Sequence, residues 1–250
     1  MTTHRFYLAP ECWMEERPEL EEADAHHCMD VLRLETGSKV VIFDGKGNEA
    51  SAELIEVSRK HTRLAIGSRS SIPKPRCAIT LAQAIPKARS MDLIIQKAVE
   101  LGASLIIPIL SERTVVRLED TGDALRKKER WLSIAIEACK QCGQNWVPEI
   151  GMPATTKEFL STPAKSDLIL IASLQPGARP IKEVLAAYQN IHGLQPGRVI
   201  IMVGPEGDFT PAETVLARSA GATAITLGPI ILRTETAAIY CLSVLGHELF

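Results

Sequence analysis

Two stretches of the chain set charged residues where apolar strands give way to helices. VIIMVGPEGDFTPAE, over 199–213, leaves an apolar run at Gly204-Pro205-Glu206-Gly207, and AITLGPIILRTETAAIY, over 224–240, leaves another at Gly228-Pro229 and reaches Arg233 beside a helix start. In an α/β sheet such loops lie beyond the carboxyl ends of the strands, where ligands bind. Gly204 and Gly207 allow positive φ or close approach of the backbone to a ligand. Thr210, Pro211 and Glu213 read as a capping box with proline at the first helical position, which gives Glu213 a structural task. Glu206 has no such task. Thr234 is placed to cap the second helix, while Glu235 suits its positive end. Arg233 is left without a structural role, and an arginine just ahead of a helix N-terminus is electrostatically awkward unless it faces an anionic or electron-rich partner. Turn chemistry alone explains one Gly-Pro loop as readily as a site does. Two of them on one sheet edge make a single pocket.

Competing chemistries find no support in spacing. The chain has neither G-x-G-x-x-G nor G-x-x-x-x-G-K-[ST], so a Rossmann dinucleotide site and a P-loop are not indicated. Cys139 and Cys142 are spaced C-x-x-C at the end of a helix with no second pair nearby, which points away from zinc and from a thioredoxin-type site. His26 and His27 are adjacent and face different sides of a helix, and no metal is expected. The six cysteines are scattered and read as reduced thiols. No apolar run approaches the roughly 18 residues that span a bilayer, and the N-terminus has no signal pattern, so a cytoplasmic protein without a membrane partner is expected.

The elements that must position the two loops follow from periodicity. Up to about residue 70, KVVIFD, ASAELIEV and TRLAIG are short β-like runs with a turn at DGKGN, which indicates a small, mostly β domain. SSIPKPR, over 70–76, reads as a linker. Beyond it, CAITLAQAI, SMDLIIQKAVELG and SLIIPIL form a βαβ unit whose helix closes at Gly102. A longer amphipathic helix covers about Leu125 to Gln141. Then DLILIAS, RVIIMVG and ATAITLG alternate with helical segments, the mark of a parallel sheet covered on both faces. The boundary is set at 1–72 and 73–250.

The net charge of -2 gives no general attraction to nucleic acid, but the distribution is uneven. Glu11 to Asp24 holds seven acids against one base, whereas Val57 to Met91 holds no acid and eight bases: Arg59, Lys60, Arg63, Arg69, Lys74, Arg76, Lys87 and Arg89. A solvated face is the plain reading of such a run, and an RNA-facing cleft is the functional one.

KARSMDLIIQKAVELGASLIIPILSERTVVR, ERWLSIAIEACKQCGQNWVPEI, GPEGDFTPAE and LGPIILRTETAAI together resemble the bacterial 16S ribosomal RNA uridine N3-methyltransferase family of the SPOUT class. HHCMDVLRLETGSKVVIFDGKG resembles that family's N-terminal module, and the likeness is weakest at 1–25 and 151–195. The resemblance implies a PUA-like β-barrel followed by an α/β methyltransferase domain whose C-terminal part is threaded as a deep trefoil knot, a feature that periodicity does not reveal. It further implies S-adenosyl-L-methionine as methyl donor, a homodimer, and 16S rRNA of the small ribosomal subunit as partner. The cofactor-binding positions it implies are Leu174, Met202, Val203, Gly204, Pro205 and Gly207 from one side, with Leu227, Gly228, Pro229, Ile231, Leu232 and Thr236 from the other. RNA-binding positions are Arg5, Arg33, Arg63, Arg69, Lys87 and Arg89. The family usually has Gly where Asp208 stands, and commonly Arg where Ile230 and Gln144 stand.

Uridine N3 carries a proton and is a poor nucleophile until it is lost, so catalysis should centre on the uracil. Arg233 is assigned to the charge that develops on the oxygens beside N3, and Glu206 to orienting the base or accepting the proton. The alternatives are methylation of another RNA base or of a ribose hydroxyl, and a non-catalytic RNA-binding or ribosome assembly protein.

Overall fold

The computed structural model describes residues 4–87, 90–161 and 165–250, and its chain divides into two compact units. The first comprises residues 1–74 together with 136–147, and the second comprises 75–135 and 148–250.

The first unit carries β1 (Arg5–Tyr7), β2 (Glu19–Leu20), a short helix α1 (Glu22–His26), β3 (Lys39–Phe43), β4 (Asn48–Val57) and β5 (Thr62–Ser71). The strands form one five-stranded sheet in the order β1-β3-β4-β5-β2. Register shifts along the β4–β5 pairing, between Ala50 and Ala52 and between Leu54 and Glu56, let this small sheet curl towards a barrel. Alternation fills its inside, since Val40, Ile42, Ala50, Ala52, Leu54 and Leu64 all point into one core with Phe6 and Leu8. The expected turn at DGKGN is held by Asp44, whose Oδ1 accepts from the amides of Lys46 (2.7 Å) and Asn48 (3.0 Å). Residues 136–147 join this unit through a short backbone pairing of Gly45–Gly47 with Asn145–Val147 and through side chains. Lys140 Nζ donates to Asp24 at 2.6 Å, Asn145 Nδ2 to Glu49 at 2.9 Å, and Trp146 Nε1 to the Ile72 carbonyl at 3.0 Å.

The second unit follows a strand–helix rhythm: β6 (Ala78–Ala84), α2 (Ser90–Glu100), β7 (Ala103–Leu110), α3 (Thr121–Cys142), β8 (Glu149–Ile150), β9 (Ala154–Thr155) and α4 (Thr156–Ser161). It continues with β10 (Leu168–Ala172), β11 (Arg179–Pro180), α5 (Ile181–His192), β12 (Arg198–Val203), α6 (Pro211–Ser219), β13 (Thr223–Thr226) and α7 (Thr234–Leu249). The sheet order is β11-β13-β10-β12-β6-β7-β8, with β9 beside β7, and the pairings are parallel. In β6 and β12 successive residues, not alternate ones, are buried, from Ile79 to Ala84 and from Val199 to Val203, so both faces of the sheet centre are covered. The expected βαβ unit is present, and Gly102 ends α2 at φ +80°. The α/β fold class expected from the sequence, with a small β-barrel-like sheet ahead of a parallel one, is the fold observed.

Candidate active site

Both Gly-Pro loops leave the sheet at its carboxyl edge. β12 ends at Val203, β13 at Thr226 and β10, which lies between them, at Ala172. Outside these three strand ends lies a cavity of about 260 Å³, close to the lower end of the roughly 300–1,000 Å³ usual for small-molecule sites. The first loop lines it with Val203, Gly204, Pro205, Glu206 and Asp208. The second contributes Leu227, Gly228, Ile230, Ile231, Leu232 and Arg233, and the loop after β10 adds Ser173 and Leu174. The structure therefore brings Leu174, both loops, Glu206 and Arg233 to one place. Met202 is fully buried in the core, and neither it nor Gly207, Pro229 or Thr236 lines the cavity. Ser173, Asp208, Ile230, Thr234 and Ala237 line it although the sequence reading gave them no binding role.

The first loop is over-determined. Thr210 and Glu213 form the expected capping box: the Thr210 side chain accepts from the Glu213 amide, and Glu213 Oε2 accepts from the Thr210 amide at 2.9 Å. Glu213 is buried, and its second oxygen accepts from the Glu112 amide (3.0 Å) and the Thr156 hydroxyl (2.6 Å). From the segment after β7, Arg113 donates to the Gly207 carbonyl. Asp208 occupies the left-handed region at φ +61°, its amide donates to the Pro205 carbonyl, and its Oδ1 accepts from the Phe209 amide at 2.8 Å. That backbone explains the departure at this position, because glycine adopts it freely and aspartate is among the few other residues that do. A Cβ added at Gly204 would stand 3.2 Å from the Phe209 amide nitrogen, so this glycine serves the internal packing of the loop. Gly228 differs: its φ is +115° with open space around it, and its requirement is conformational.

Thr234 does not cap α7. Its hydroxyl donates to the Gly204 carbonyl at 2.7 Å, bridging the two loops, and accepts from Gln83 Nε2 at 3.0 Å. The N-cap position falls to Arg233, extended at φ -64° and ψ 155° and making no side-chain cap. The first amides of α7 therefore have no helical partner. The Arg233 side chain is exposed on the cavity wall, and no ion pair to it occurs among the described residues. Glu206 has a duty the sequence did not reveal: its Oε1 accepts from the Lys87 amide at 2.9 Å.

The basic positions fare unevenly. Arg5 is committed to Glu49 and Asn145, and Arg63 lies between Glu19 (2.6 Å) and Glu56 (3.2 Å). Arg69 donates to the Trp13 carbonyl and lies over that ring. Arg33 and Lys87 are exposed, whereas Arg89 lies outside the described residues. Thus acids from other elements neutralise part of the acid-free segment, Asp30 pairing with Arg59 as Glu19 and Glu56 do with Arg63. Gln144, where the family commonly has Arg, turns its Oε1 back to the amides of Asn145 and Trp146.

The cavity is lined mainly by apolar side chains. Its walls are aliphatic (Val203, Leu227, Ile231, Leu232, Ala237), and the backbone amides of Ile230 to Leu232 make no hydrogen bond among the described residues, leaving donors beside an apolar slot. Residues 73–246 match the family model of the RNA methyltransferase domain and residues 20–66 that of the RNA methyltransferase PUA domain. Ribosomal RNA small subunit methyltransferase E of Bacillus subtilis is 33% identical over 227 residues, 90% of this chain and 88% of its own. The Synechocystis protein of the same name is 31% identical and covers 96% of this chain and 76% of its own. Among solved structures, a methyltransferase of Legionella pneumophila in complex with SAM superposes with a TM-score of 0.89 at 34% identity, covering 99% of this chain and 98% of that one. Ribosomal RNA small subunit methyltransferase E of Neisseria gonorrhoeae, bound to S-adenosyl methionine, does so with a TM-score of 0.86 at 32% identity over 99% and 98%. On this evidence the chain belongs to the ribosomal RNA small subunit methyltransferase E family.

Proposed function

We propose that this chain is an S-adenosyl-L-methionine-dependent methyltransferase that methylates N3 of one uridine in 16S rRNA of the small ribosomal subunit. The observation that carries the reading is a cavity at which both Gly-Pro loops meet, with the guanidinium of Arg233, which makes no ion pair among the described residues, on its wall. Leu174, Val203, Gly204, Pro205, Leu227, Gly228, Ile231 and Leu232 would hold the cofactor, with the free amides after Pro229 available to the adenine edge. The bound sulfonium would supply an electrophilic methyl group. What the protein must add is an electron-rich N3. Arg233 reaches solvent from the cavity wall, makes no ion pair among the described residues, and would donate to the oxygens beside N3, where negative charge grows as the proton departs. One oxygen of Glu206 is held by the Lys87 amide, which fixes the carboxylate and leaves Oε2 to orient the base or take the proton.

The RNA contact falls to Arg33, Arg69 and Lys87 more than to Arg5 or Arg63, whose charges are already paired. In this reading the chain from β12 to α7 carries the family's trefoil knot, and the protein is a cytoplasmic homodimer. Support for the dimer is the apolar rim of the cavity, where Leu174, Ile230 and Ile231 are 59%, 68% and 78% exposed and would be covered by a second copy. The test is mass spectrometry of 16S rRNA from a strain lacking the protein, with and without complementation. Loss of one N3-methyluridine, restored by the gene, is expected. Loss of a different modified base or ribose, or of none, would overturn it.

A further inference from the structure

Gln83 is a polar residue in the middle of an apolar sheet. It sits near the carboxyl end of β6, is fully buried, and follows a run of fully or almost fully buried neighbours. Its Nε2 makes two hydrogen bonds, to the Ala84 carbonyl (2.9 Å) and to the Thr234 hydroxyl (3.0 Å), while its Oε1 is buried with no partner among the described residues. An unsatisfied buried carbonyl is destabilising, and it sets against the two bonds made by Nε2 a cost that leucine or methionine would not carry. Stability alone therefore does not explain this glutamine.

The bond to Thr234 does. A hydroxyl can donate or accept, and the Thr234 hydrogen rotates to suit. An amide N–H aimed at Oγ1 makes that oxygen an acceptor from Gln83 and leaves its single hydrogen for the Gly204 carbonyl, 2.7 Å away. Gly204 opens the first loop and Thr234 begins the helix that ends the second, and both line the cavity. A chain of two hydrogen bonds thus runs from the buried sheet to both walls.

We propose that Gln83 is a positioning residue for the cofactor cavity: it fixes the Thr234 hydroxyl as a donor to the Gly204 carbonyl and so locks the two Gly-Pro loops in the spacing that binds ligand. This rests on the cavity being the S-adenosyl-L-methionine site. The bonds act as one unit, so removing either end releases the same constraint.

The test compares the parental full-length chain with Gln83→Met, Thr234→Val, the double variant and Thr234→Ser, by calorimetry with S-adenosyl-L-methionine and by thermal melting. Gln83→Met keeps the volume, deletes the donor and removes the orphaned carbonyl. Its cofactor affinity should fall about fivefold or more, the loss of one net hydrogen bond, with little change in melting temperature, because the bonds lost at Ala84 and Thr234 are set against the orphaned carbonyl removed. The double variant should lose no more affinity than the weaker-binding single variant, and Thr234→Ser should bind as the parent does. Parental affinity in Gln83→Met, additive losses in the double variant, or a fall in melting temperature that tracks the fall in affinity would each overturn the proposal alone. No cofactor binding by the parental chain would overturn the reading of the cavity, and this inference with it.

Discussion

Replacing Arg233 by serine should make the protein more stable and nearly inactive. Arg233 occupies the N-cap position of α7 with the extended backbone that capping residues adopt, yet it supplies no cap. Serine there would accept from an amide of the first turn, a gain of about 0.5–2 kcal/mol over a non-capping residue. Removing a positive charge from the positive end of the helix dipole adds about 0.3–1 kcal/mol, at the lower end because the side chain is exposed. Nothing is lost in exchange, since no ion pair to Arg233 occurs among the described residues. A net stabilisation of about 1–2 kcal/mol corresponds to a rise of roughly 3–6 °C in melting temperature for a chain of this size. Turnover should move the other way. A donor aimed at developing oxyanion charge is worth roughly 10²–10³ in kcat, and if it acts in the transition state, cofactor affinity should change little. The assays are thermal melting, calorimetry with S-adenosyl-L-methionine, and methyl transfer to small-subunit particles. A lowered melting temperature would show that the guanidinium holds the fold together. Turnover within tenfold of the parent would remove Arg233 from the chemistry, and affinity falling as far as turnover would assign it to the cofactor.

Other outcomes follow from the same geometry. Gly228→Val places a branched residue at φ +115°, a backbone strain of about 1–3 kcal/mol confined to the second loop, so calorimetry should show cofactor affinity reduced about tenfold or more with the circular dichroism spectrum unchanged. Glu49 is held below the ordinary carboxylate range chiefly by the Asn145 amide, with burial opposing and Arg5 assisting. Its contribution to stability is thus present above the ordinary value near about 4.3 and is lost as pH falls through the lower folded value, so acid melting of Glu49→Gln should show a shallower pH dependence below about pH 4.5 than the parent. Burial pushes the thiols of Cys28, Cys139 and Cys241 up to about 12 and that of Cys77 to about 11, whereas Cys142 is exposed. A thiol reagent at pH 8 should therefore label Cys142 in the native protein and those four only after unfolding.

The parts of this site that were legible in the sequence are those written locally. Thr210, Pro211 and Glu213 announce a helix start within four residues, and the structure closes that capping box as the spacing requires. Apolar runs announced β6, β10 and β12, because strands buried on both faces cannot alternate, and the shorter or more broken runs of β7 and β13 followed from the same rhythm. The same local logic failed at Thr234. A threonine ahead of an apolar helix looks like a cap, but the carbonyl of Gly204, 30 residues earlier in the chain, competes for its hydroxyl and wins. Gln144 shows the reverse, a side chain that closes on its own neighbours.

Residues 136–147 illustrate a different limit. The amphipathic pattern of α3 is continuous to Cys142, so periodicity gives no sign that its last turns belong with the β unit. What joins them to it is a set of long-range contacts: Lys140 to Asp24, Asn145 to Glu49, backbone bonds from the Gly47 amide to the Asn145 carbonyl and from the Val147 amide to the Gly45 carbonyl, and Trp146 packed over Gly47, where a Cβ would stand 2.4 Å from the ring. Burial alone would lower the Lys140 ammonium, yet the hydrogen bonds to Asp24 and Glu137 lift it above its ordinary value, so the ammonium keeps its charge. Both side chains of this pair are half-buried, and a charge withdrawn from water needs its partner in place, so Asp24→Ala should cost more than an exposed ion pair would. The basic segment obeys the same rule from the other direction. Its charge count suggested eight free cations, but Arg59 and Arg63 are answered by Asp30 and Glu19 from elements remote in sequence and by Glu56 from the adjoining strand. Local charge runs overstate an RNA-binding face wherever the fold returns an acid to it, and Arg33 and Lys87, which have no such acid among the described residues, are the positions at which neutralisation should flatten the salt dependence of particle binding.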